Sequence, residues 1–460
     1  MQNVGITKRF VVVLSVLMGL SLSQEKSFAA KCPCDIYKDG GTPCVAAHST
    51  TRALYSSYNG PLYQVRRTAD NKTQDIGLLT AGGFVNATMQ DTFLNGKPGT
   101  VSIIYDQSPN GNHLARSPKG GWLKVQAHEV NATAAKIKIN GFTAYGIYTF
   151  GNGYSSVDTV VGAGYRIDKT IGVVTGNGAE GIYGVFGGKH VSWGCCFDYG
   201  NVQTNNQDNG NASMETIYFG TSNQWGHGSG NGPWVMNDCE NGIQAGVDPN
   251  GTKGVWNGNT SIIADYVTGI VKSDTSNFFA IRGGDATKDT VKNMYRGRQY
   301  PGWYPKKLEG AIALGVGGDN SNTGEGTFFE GALTKGMPSD TTENAVQKNI
   351  IAAGYGSSTT EVNYEAAPAA SGDCLFSVNY TKANGTAVVE MTLPPAALRG
   401  ELTVRVYDLI GRLAATPFMG RPATSRLAFA LDSKQARSGA YFVKVSLDNK
   451  TAFTKTITLW

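Results

Sequence analysis

The sequence has little charge, and its main part has no excess of either sign. Only 16% of the 460 residues are Asp, Glu, Lys or Arg, and residues 31–371 carry 26 basic against 28 acidic residues. The formal net charge of +5 therefore comes from the two ends of the chain. A nearly neutral main part lacks the basic surface that binds nucleic acid, and it favours a neutral ligand such as a sugar.

Long apolar runs are absent after the first 22 residues. Lys8 and Arg9 precede an apolar run from Phe10 to Leu22, which is shorter than the roughly 20 residues of a membrane-spanning helix. The stretch Ser27–Ala29 then offers small residues for cleavage. We therefore predict a signal peptide over residues 1–30, no membrane span, and a secreted protein.

Histidine is scarce, and none lies at zinc-finger spacing from Cys32 and Cys34, so we expect neither a metal nor a cofactor. The cysteine count is odd, which leaves at least one thiol unpaired in an oxidising compartment. Cys34 and Cys44 close a short loop and are predicted to form a disulfide. Adjacent Cys195 and Cys196 form either a strained ring or two separate disulfides. The seven cysteines are Cys32, Cys34, Cys44, Cys195, Cys196, Cys239 and Cys374.

Turn-forming and strand-forming residues dominate instead, with 60 Gly, 21 Tyr and 18 Phe. Short β-type runs recur up to about Tyr355 and favour a sandwich; examples are residues 101–105, 170–174, 181–186 and 310–314. One helix is predicted to begin after Ser339 or Asp340, because an apolar stripe of helical spacing follows. The stripe consists of Ala345, Val346, Ile350 and Ile351.

The composition changes after residue 356. Residues 357–372 are rich in Ser, Thr, Ala and Pro and are predicted to be a linker. Five strand patterns follow, at residues 387–393, 401–407, 427–431, 441–445 and 453–459. We therefore predict an all-β protein, with a large jelly-roll or concanavalin-like β-sandwich over residues 31–356 and a small immunoglobulin-like β-sandwich over residues 373–460.

One acidic motif lies at residues 232–242. If Trp234 to Glu240 is a strand, its period of two places Met236, Asp238 and Glu240 on one face. Two neighbouring carboxylates raise the pKa of one of them unless hydrogen bonds hold both ionised, and hydrolysis of a glycosidic bond needs such a pair. The alternative is a solvent-facing strand edge that ends in a turn at Asn241.

A second motif, Gly315–Asn322, follows the apolar run 310–314. Its glycines allow the backbone to approach a ligand closely and present Asp319 at the end of a buried strand. The alternative is an ordinary turn or a calcium loop. Aromatic residues near the paired cysteines, and Trp225, either stack on a sugar or belong to the core.

Five motifs in the same order resemble the catalytic domain of glycoside hydrolase family 54, the α-L-arabinofuranosidases. The resemblance extends from about Cys32 to Tyr355. The motifs are Cys34–Tyr37, Thr42–Tyr55, Ile104–Leu114, Cys195–Asn201 and Gly317–Asn322.

The resemblance implies a retaining, exo-acting enzyme that removes terminal α-L-arabinofuranosyl residues from arabinan or arabinoxylan of plant cell walls. It implies Glu240 as nucleophile, Asp319 as general acid/base, and a vicinal disulfide between Cys195 and Cys196. Burial among backbone groups should keep Asp319 protonated, and hydrogen-bond donors should keep Glu240 ionised. Further sugar contacts are implied at Trp225, Asp238, Asn241 and Gly318.

Two alternatives for the function stay open: a non-catalytic arabinose-binding protein, and a hydrolase of another furanoside. Gly242 and Gln244 replace the bulkier residues usual in the family after the nucleophile, so the contacts at the pocket rim differ. The segments Val406–Arg412 and Ser438–Val445 resemble C-terminal sorting domains of bacterial type IX secretion, which implies sorting or attachment to the cell surface. An immunoglobulin-like spacer or a weak carbohydrate-binding module are the alternatives for this domain. We expect a monomer.

Overall fold

The computed structural model describes residues 31–151, 162–247, 254–288, 290–356, 363–364, 377–383, 386–393, 398, 400–408, 413–424, 426–432, 439–448 and 450–459. The predicted signal peptide and Cys374 lie outside the described residues. So does the predicted linker, except Asn363–Tyr364, which pairs with residues 135–136.

The large domain consists of strands with three short helices. In chain order the elements are α1 (Pro33–Asp39), β1 (Cys44–Ser49), β2 (Tyr63–Arg67), β3 (Thr73–Ile76), α2 (Ala87–Leu94), β4 (Gly99–Ile104), β5 (Leu114–Arg116), β6 (Ala135–Ile139), β7 (Phe142–Thr149), β8 (Tyr165–Ile167), β9 (Glu180–Val191), β10 (Asp198–Val202), β11 (Glu215–Gly220), β12 (His227–Ser229), β13 (Trp234–Asp238), β14 (Ile243–Gln244), β15 (Val255–Thr260), β16 (Tyr266–Ser273), β17 (Phe279–Asp285), β18 (Lys292–Gly297), β19 (Ala311–Leu314), β20 (Gly326–Lys335), α3 (Asp340–Ala353) and β21 (Asn363–Tyr364).

Two large antiparallel sheets form the sandwich of the large domain, and β12 and β15 pair separately as a two-stranded parallel sheet. The first has the order β18-β17-β16-β9-β20-β7-β6-β21, with β1 also paired to β20, and the second has the order β14-β13-β11-β10-β19-β8-β5-β4-β2-β3. Aromatic rings join them: Phe186 of β9 stacks on Phe219 of β11 with centroids 5.6 Å apart, and Tyr199 of β10 lies 4.8 Å from Phe328 of β20. Because both sheets bury one face in this shared core, the predicted large β-sandwich is confirmed.

Helix α3 covers the outer face of the first sheet. The Ser339 side chain accepts a hydrogen bond from the Thr342 N–H over 3.1 Å, and Val346 and Ile350 are buried. The Lys272 ammonium of β16 donates to the Glu343 carboxylate over 2.8 Å. The prediction of a helix capped by Ser339 is confirmed.

Three of the four strand runs quoted from the large domain are confirmed, as β4, β9 and β19. The prediction of a strand over residues 170–174 is wrong. Gly172 has φ +76°, which ends an extended run, and the Ile171 side chain is 63% exposed. The Ile171 N–H donates to Asn112 Oδ1 over 2.8 Å instead of joining a sheet.

The C-terminal part forms a small β-sandwich, as predicted. Its strands are β22 (Ser377–Ala383), β23 (Thr386–Thr392), β24 (Leu402–Asp408), β25 (Leu413–Gly420), β26 (Arg426–Asp432), β27 (Gly439–Leu447) and β28 (Lys450–Leu459). They form one sheet of order β22-β23-β26 and another of order β25-β24-β27-β28. Val389 and Leu431 of the first sheet share an apolar core with Val404 and Val443 of the second. Within the described part of the chain, no helix combines the length and apolarity of a transmembrane segment.

Candidate active site

Strands β10 and β13 of the second sheet, which lie on either side of β11, place two acids on one face. Thr216 of β11 lies opposite both Gly200 of β10 and Asp238 of β13. Asp198, two residues before Gly200, therefore faces the same side as Asp238. Both carboxyls are buried, and burial raises the pKa of Asp238 to about 7 and the pKa of Asp198 well above its usual range.

Strand β13 ends at Asp238, so the prediction that Glu240 continues the strand is wrong. Glu240 and Asn241 have φ +68° and +57°, the left-handed region that non-glycine residues rarely adopt. The Glu240 N–H donates to Asp238 Oδ1 over 3.0 Å, and Trp303 Nε1 donates to the Glu240 carbonyl over 3.1 Å. These bonds hold a strained backbone of the kind found at functional sites.

Glu240 is 9% exposed, and its carboxylate contacts Gln203. Gln203 Nε2 donates to Glu240 Oε2 and also to Ser213 Oγ, the latter over 2.8 Å. Burial, with the charges of Asp238 and Asp319, raises the pKa of Glu240 to about 8. The expectation that Glu240 stays ionised at neutral pH is therefore wrong for this structure, because one side-chain donor does not offset burial and like charge.

Gly318 brings the backbone of the second motif against the Glu240 carboxylate. A Cβ at Gly318 would lie 2.9 Å from Glu240 Oε2 and would overlap the Gln203 amide. Asp319 follows directly, and its Oδ1 accepts a hydrogen bond from the Ser321 N–H over 3.0 Å. Only glycine permits this approach, so the close contact between the two motifs depends on Gly318.

Arg166 supports this contact from within the protein. Its Nη1 donates to the Gly318 carbonyl over 3.0 Å, and its other guanidinium nitrogens bind Asp168 and the Gln203 carbonyl. Burial lowers the pKa of Arg166, and the charge of Asp319 is among those that oppose this effect. A buried guanidinium thus links the backbone segments that carry Gln203 and Asp319.

Both predicted disulfides are present. Cys34 and Cys44 are joined with their Cα atoms 5.6 Å apart, and Cys195 and Cys196 are joined to each other across a cis peptide bond. Among the described cysteines, Cys32 and Cys239 are free and buried.

The vicinal disulfide forms one wall of the site. Cys196 Sγ lies 3.2 Å from Asp238 Oδ2, and the disulfide belongs to an apolar cluster with Tyr218 and Met236. Trp225 packs against the same cluster. The two sulfurs and an Asp238 oxygen lie within 4.8 Å of one another, but sulfurs bonded to each other are not the thiolates that bind metal ions.

Asn241 lies on the rim, where its exposed side chain donates to Asp208 Oδ1 over 3.2 Å. A Cβ at Gly242 would lie 3.3 Å from Trp303 Cζ2. The Trp303 ring therefore occupies the space that a residue bulkier than glycine would need at position 242.

The structure brings together Glu240, Asp238, Asp319 and Gly318, and places the remaining predicted residues at the wall and rim of the same site. Sequence reasoning missed four residues: Asp198, Gln203, Arg166 and Trp303. Asp198 lies within the Cys195–Asn201 motif and could have been found there. The other three have no motif, because their roles come from contacts between strands that are distant in sequence.

Comparisons with known proteins show the family of the chain. A family model described as "Alpha-L-arabinofuranosidase B, catalytic" matches residues 33–356. The chain is 47% identical over 345 residues to a probable α-L-arabinofuranosidase B of Aspergillus fumigatus and 46% identical over 348 residues to α-L-arabinofuranosidase B of Emericella nidulans. Each match covers 74% of this chain and 65% of the relative, so the chain spans slightly less than two thirds of the relatives' length.

Two solved structures are also similar. One is a family 54 α-L-arabinofuranosidase soaked with a cyclic sulfate inhibitor, and the other is an arabinofuranosidase complexed with arabinofuranosyl-α-1,2-xylobiose. Each is 42% identical with a TM-score of 0.67, and each match covers 79% of this chain. The matches cover 75% of the first structure's chain and 74% of the second's. The chain therefore belongs to the α-L-arabinofuranosidase B family, whose catalytic domain it contains at residues 33–356.

Proposed function

We propose that this protein is a retaining, exo-acting α-L-arabinofuranosidase that removes terminal non-reducing α-L-arabinofuranosyl residues from plant cell-wall polysaccharides. The observation that carries the proposal is the approach of the two acidic motifs at Gly318. There the Glu240 carboxylate contacts the backbone that precedes Asp319. Two carboxyl groups in one small site are the minimum for retaining hydrolysis.

In the first step, the Glu240 carboxylate attacks the anomeric carbon while Asp319 donates a proton to the glycosidic oxygen. The leaving group departs as a hydroxyl compound, and an arabinofuranosyl ester forms on Glu240. In the second step, Asp319 takes a proton from water as the water attacks the same carbon. This step releases arabinose with the original α-configuration and regenerates both residues.

The remaining site residues bind the sugar. Asp238 accepts hydrogen bonds from sugar hydroxyls. A sugar hydroxyl that donates to the Glu240 carboxylate itself favours the ionised form of that carboxylate. The vicinal disulfide and Trp225 supply an apolar wall for the sugar ring, with Asn241 and the Gly318 backbone as further polar contacts. Gln203 and Arg166 keep the two catalytic carboxyls in position.

Arabinoxylan is the favoured substrate, with arabinan as the alternative. The similar solved structure complexed with arabinofuranosyl-α-1,2-xylobiose supports a xylan side chain. A relative of Trichoderma koningii, 48% identical over 335 residues, is named an arabinofuranosidase/β-xylosidase, which keeps hydrolysis of another glycoside as a second candidate. The match covers 64% of that relative.

The protein acts outside the cytoplasm as a monomer. The described disulfides and the predicted signal peptide support export. The small C-terminal sandwich serves in sorting through type IX secretion or in attachment to the cell surface. Two of its segments, Val406–Arg412 and Ser438–Val445, support this role because they resemble type IX sorting domains.

The test is release of arabinose from 4-nitrophenyl α-L-arabinofuranoside by the wild type and by Glu240→Gln, with proton NMR of the anomer formed first. Fast release by the wild type, lost in the variant, with the α-anomer first, is the expected result. If a folded wild type binds arabinose without releasing product, the protein is a binding module. If the β-anomer forms first, the mechanism is inverting.

A further inference from the structure

Residues 118–125 form a loop that lies directly on the segment of the proposed general acid. The Trp122 N–H donates to the Asp319 carbonyl over 2.9 Å. A Cβ at the preceding Gly121 would lie 3.5 Å from the Asp319 Cβ. A backbone hydrogen bond therefore joins the loop to Asp319, the proposed proton donor.

Two buried side-chain amides hold this loop in one conformation. Asn320 Nδ2 donates to the Leu123 and Val125 carbonyls over 3.2 and 3.3 Å, and Asn206 Nδ2 donates to the carbonyls of residues 118 and 119 over 3.0 Å each. The Leu123 side chain is buried beneath the loop. The loop is thus fixed to the site by bonds that do not involve the Trp122 ring.

The Trp122 side chain is nevertheless 59% exposed. Burying an indole is strongly favourable, so folding alone gives no reason to hold one in water on a well-anchored loop. Ligand sites are lined predominantly by apolar and aromatic side chains, so an exposed aromatic group fixed beside a site is available to contact a ligand. The flat, weakly polar face of indole suits the C–H face of a neutral sugar ring, and the nearly neutral main part of the chain fits the same kind of ligand.

We propose that Trp122 is the stacking platform for the sugar that carries the arabinofuranosyl group, on the leaving-group side of the bond that is cleaved. The inference rests on the proposed function. A general acid protonates the glycosidic oxygen, so the leaving sugar begins at the atom that Asp319 protonates. The backbone hydrogen bond between Trp122 and Asp319 places the Trp122 backbone beside the acid segment. From there the exposed indole is within reach of the space that this sugar must occupy.

The experiment compares two substrates with the wild type, Trp122→Ala and Trp122→Phe. An arabinofuranosyl-substituted xylo-oligosaccharide places a ring on the leaving-group side, whereas methyl α-L-arabinofuranoside has none and still needs the acid. We expect Trp122→Ala to lower kcat/KM on the oligosaccharide by roughly tenfold and on the methyl glycoside by less than about twofold. Trp122→Phe should retain most of the activity on both. Ile263→Ala, which removes another exposed apolar side chain, is the matched control and should change neither.

Equal losses on both substrates, or no loss on either, would overturn the role of Trp122 while leaving the proposed function intact. A wild type that hydrolyses neither substrate would count against the proposed function instead. In that case the Trp122 inference is decided by oligosaccharide affinity in the Glu240→Gln background. Trp122→Ala should then weaken binding of the oligosaccharide by roughly tenfold and binding of the methyl glycoside by less than about twofold. Equal affinity for the oligosaccharide with and without the indole would refute the inference.

Discussion

The backbone N–H of Glu240 donates a hydrogen bond to Oδ1 of Asp238 over 3.0 Å, which ties the proposed nucleophile to the neighbouring carboxylate. This bond forms where the strand ends and Glu240 adopts φ +68°. The Asp238 side chain therefore positions the proposed nucleophile by accepting a hydrogen bond from its backbone, and it also faces the proposed sugar site. The positive φ of Glu240 costs about 1 kcal/mol of conformational free energy.

Two substitutions of Glu240 test separately the loss of its carboxylate and the strain of its backbone. Glu240→Ala and Glu240→Gly should both abolish turnover, because each removes the proposed nucleophile. Glu240→Gly should be more stable than Glu240→Ala by about 1 kcal/mol, since glycine adopts a positive φ without a Cβ clash. Urea unfolding of the two variants measures this difference. Equal stabilities would show that the left-handed conformation carries no strain.

Gly318 offers a steric test of the contact between the two motifs. Gly318→Ala should lower kcat by roughly a hundredfold, because the new Cβ meets both Glu240 Oε2 and the Gln203 amide and displaces the catalytic groups. The matched control is Gly77→Ala, where the nearest atom would be 3.9 Å away. Full activity of a folded Gly318→Ala variant would contradict the described geometry.

The motifs that carry Glu240 and Asp319 could be predicted from sequence, but Gln203 and Arg166, which hold these motifs in place, could not. The glycines before Asp319 and the acids around Glu240 are local signals, because each motif lies at the end of one strand. The link between Gln203 and Glu240 arises only when β10 and β13 lie in the same sheet, with β11 between them. The prediction of a strand over residues 170–174 was wrong for a related reason. Its apolar residues fit a strand locally, while the positive φ of Gly172 and the bond to Asn112 exclude one.

The raised pKa of Glu240 makes stability depend on pH. The folded protein holds a proton on Glu240 up to about pH 8, whereas an unfolded chain releases it near the ordinary value of 4.5. The folded state therefore binds more protons between these values, and the free energy of unfolding falls as pH rises through this window.

Glu240→Gln cannot titrate, so it should gain stability relative to the wild type across this window, by on the order of 5 kcal/mol once complete. Urea unfolding at about pH 5 and about pH 9 measures the difference. A difference that does not change between these pH values would mean that the Glu240 carboxyl has an ordinary pKa.

The two disulfides should have different roles. Reduction of the Cys195–Cys196 bond should weaken the binding of arabinose, because the disulfide lies against Asp238 in the wall of the site. Replacing Cys34 and Cys44 by serine should instead lower the free energy of unfolding by about 2–3 kcal/mol with unchanged affinity. Calorimetric titration of both proteins with arabinose distinguishes the roles. Unchanged affinity after confirmed reduction of the vicinal pair would remove that pair from the binding site.

Asp319→Ala tests the assignment of the general acid through the leaving group. An alkyl or sugar leaving group needs protonation as the bond breaks, so kcat/KM on methyl α-L-arabinofuranoside should fall by roughly 10²–10⁴. A 4-nitrophenolate leaves without a proton, so the loss on the aryl substrate in the same first step should be much smaller. Asp319→Asn is the matched variant, because it keeps the volume and the acceptor oxygen for the Ser321 N–H but cannot donate the carboxylic proton. Equal losses on both substrates would show that Asp319 maintains the structure of the site, since only a proton donor discriminates between the two leaving groups.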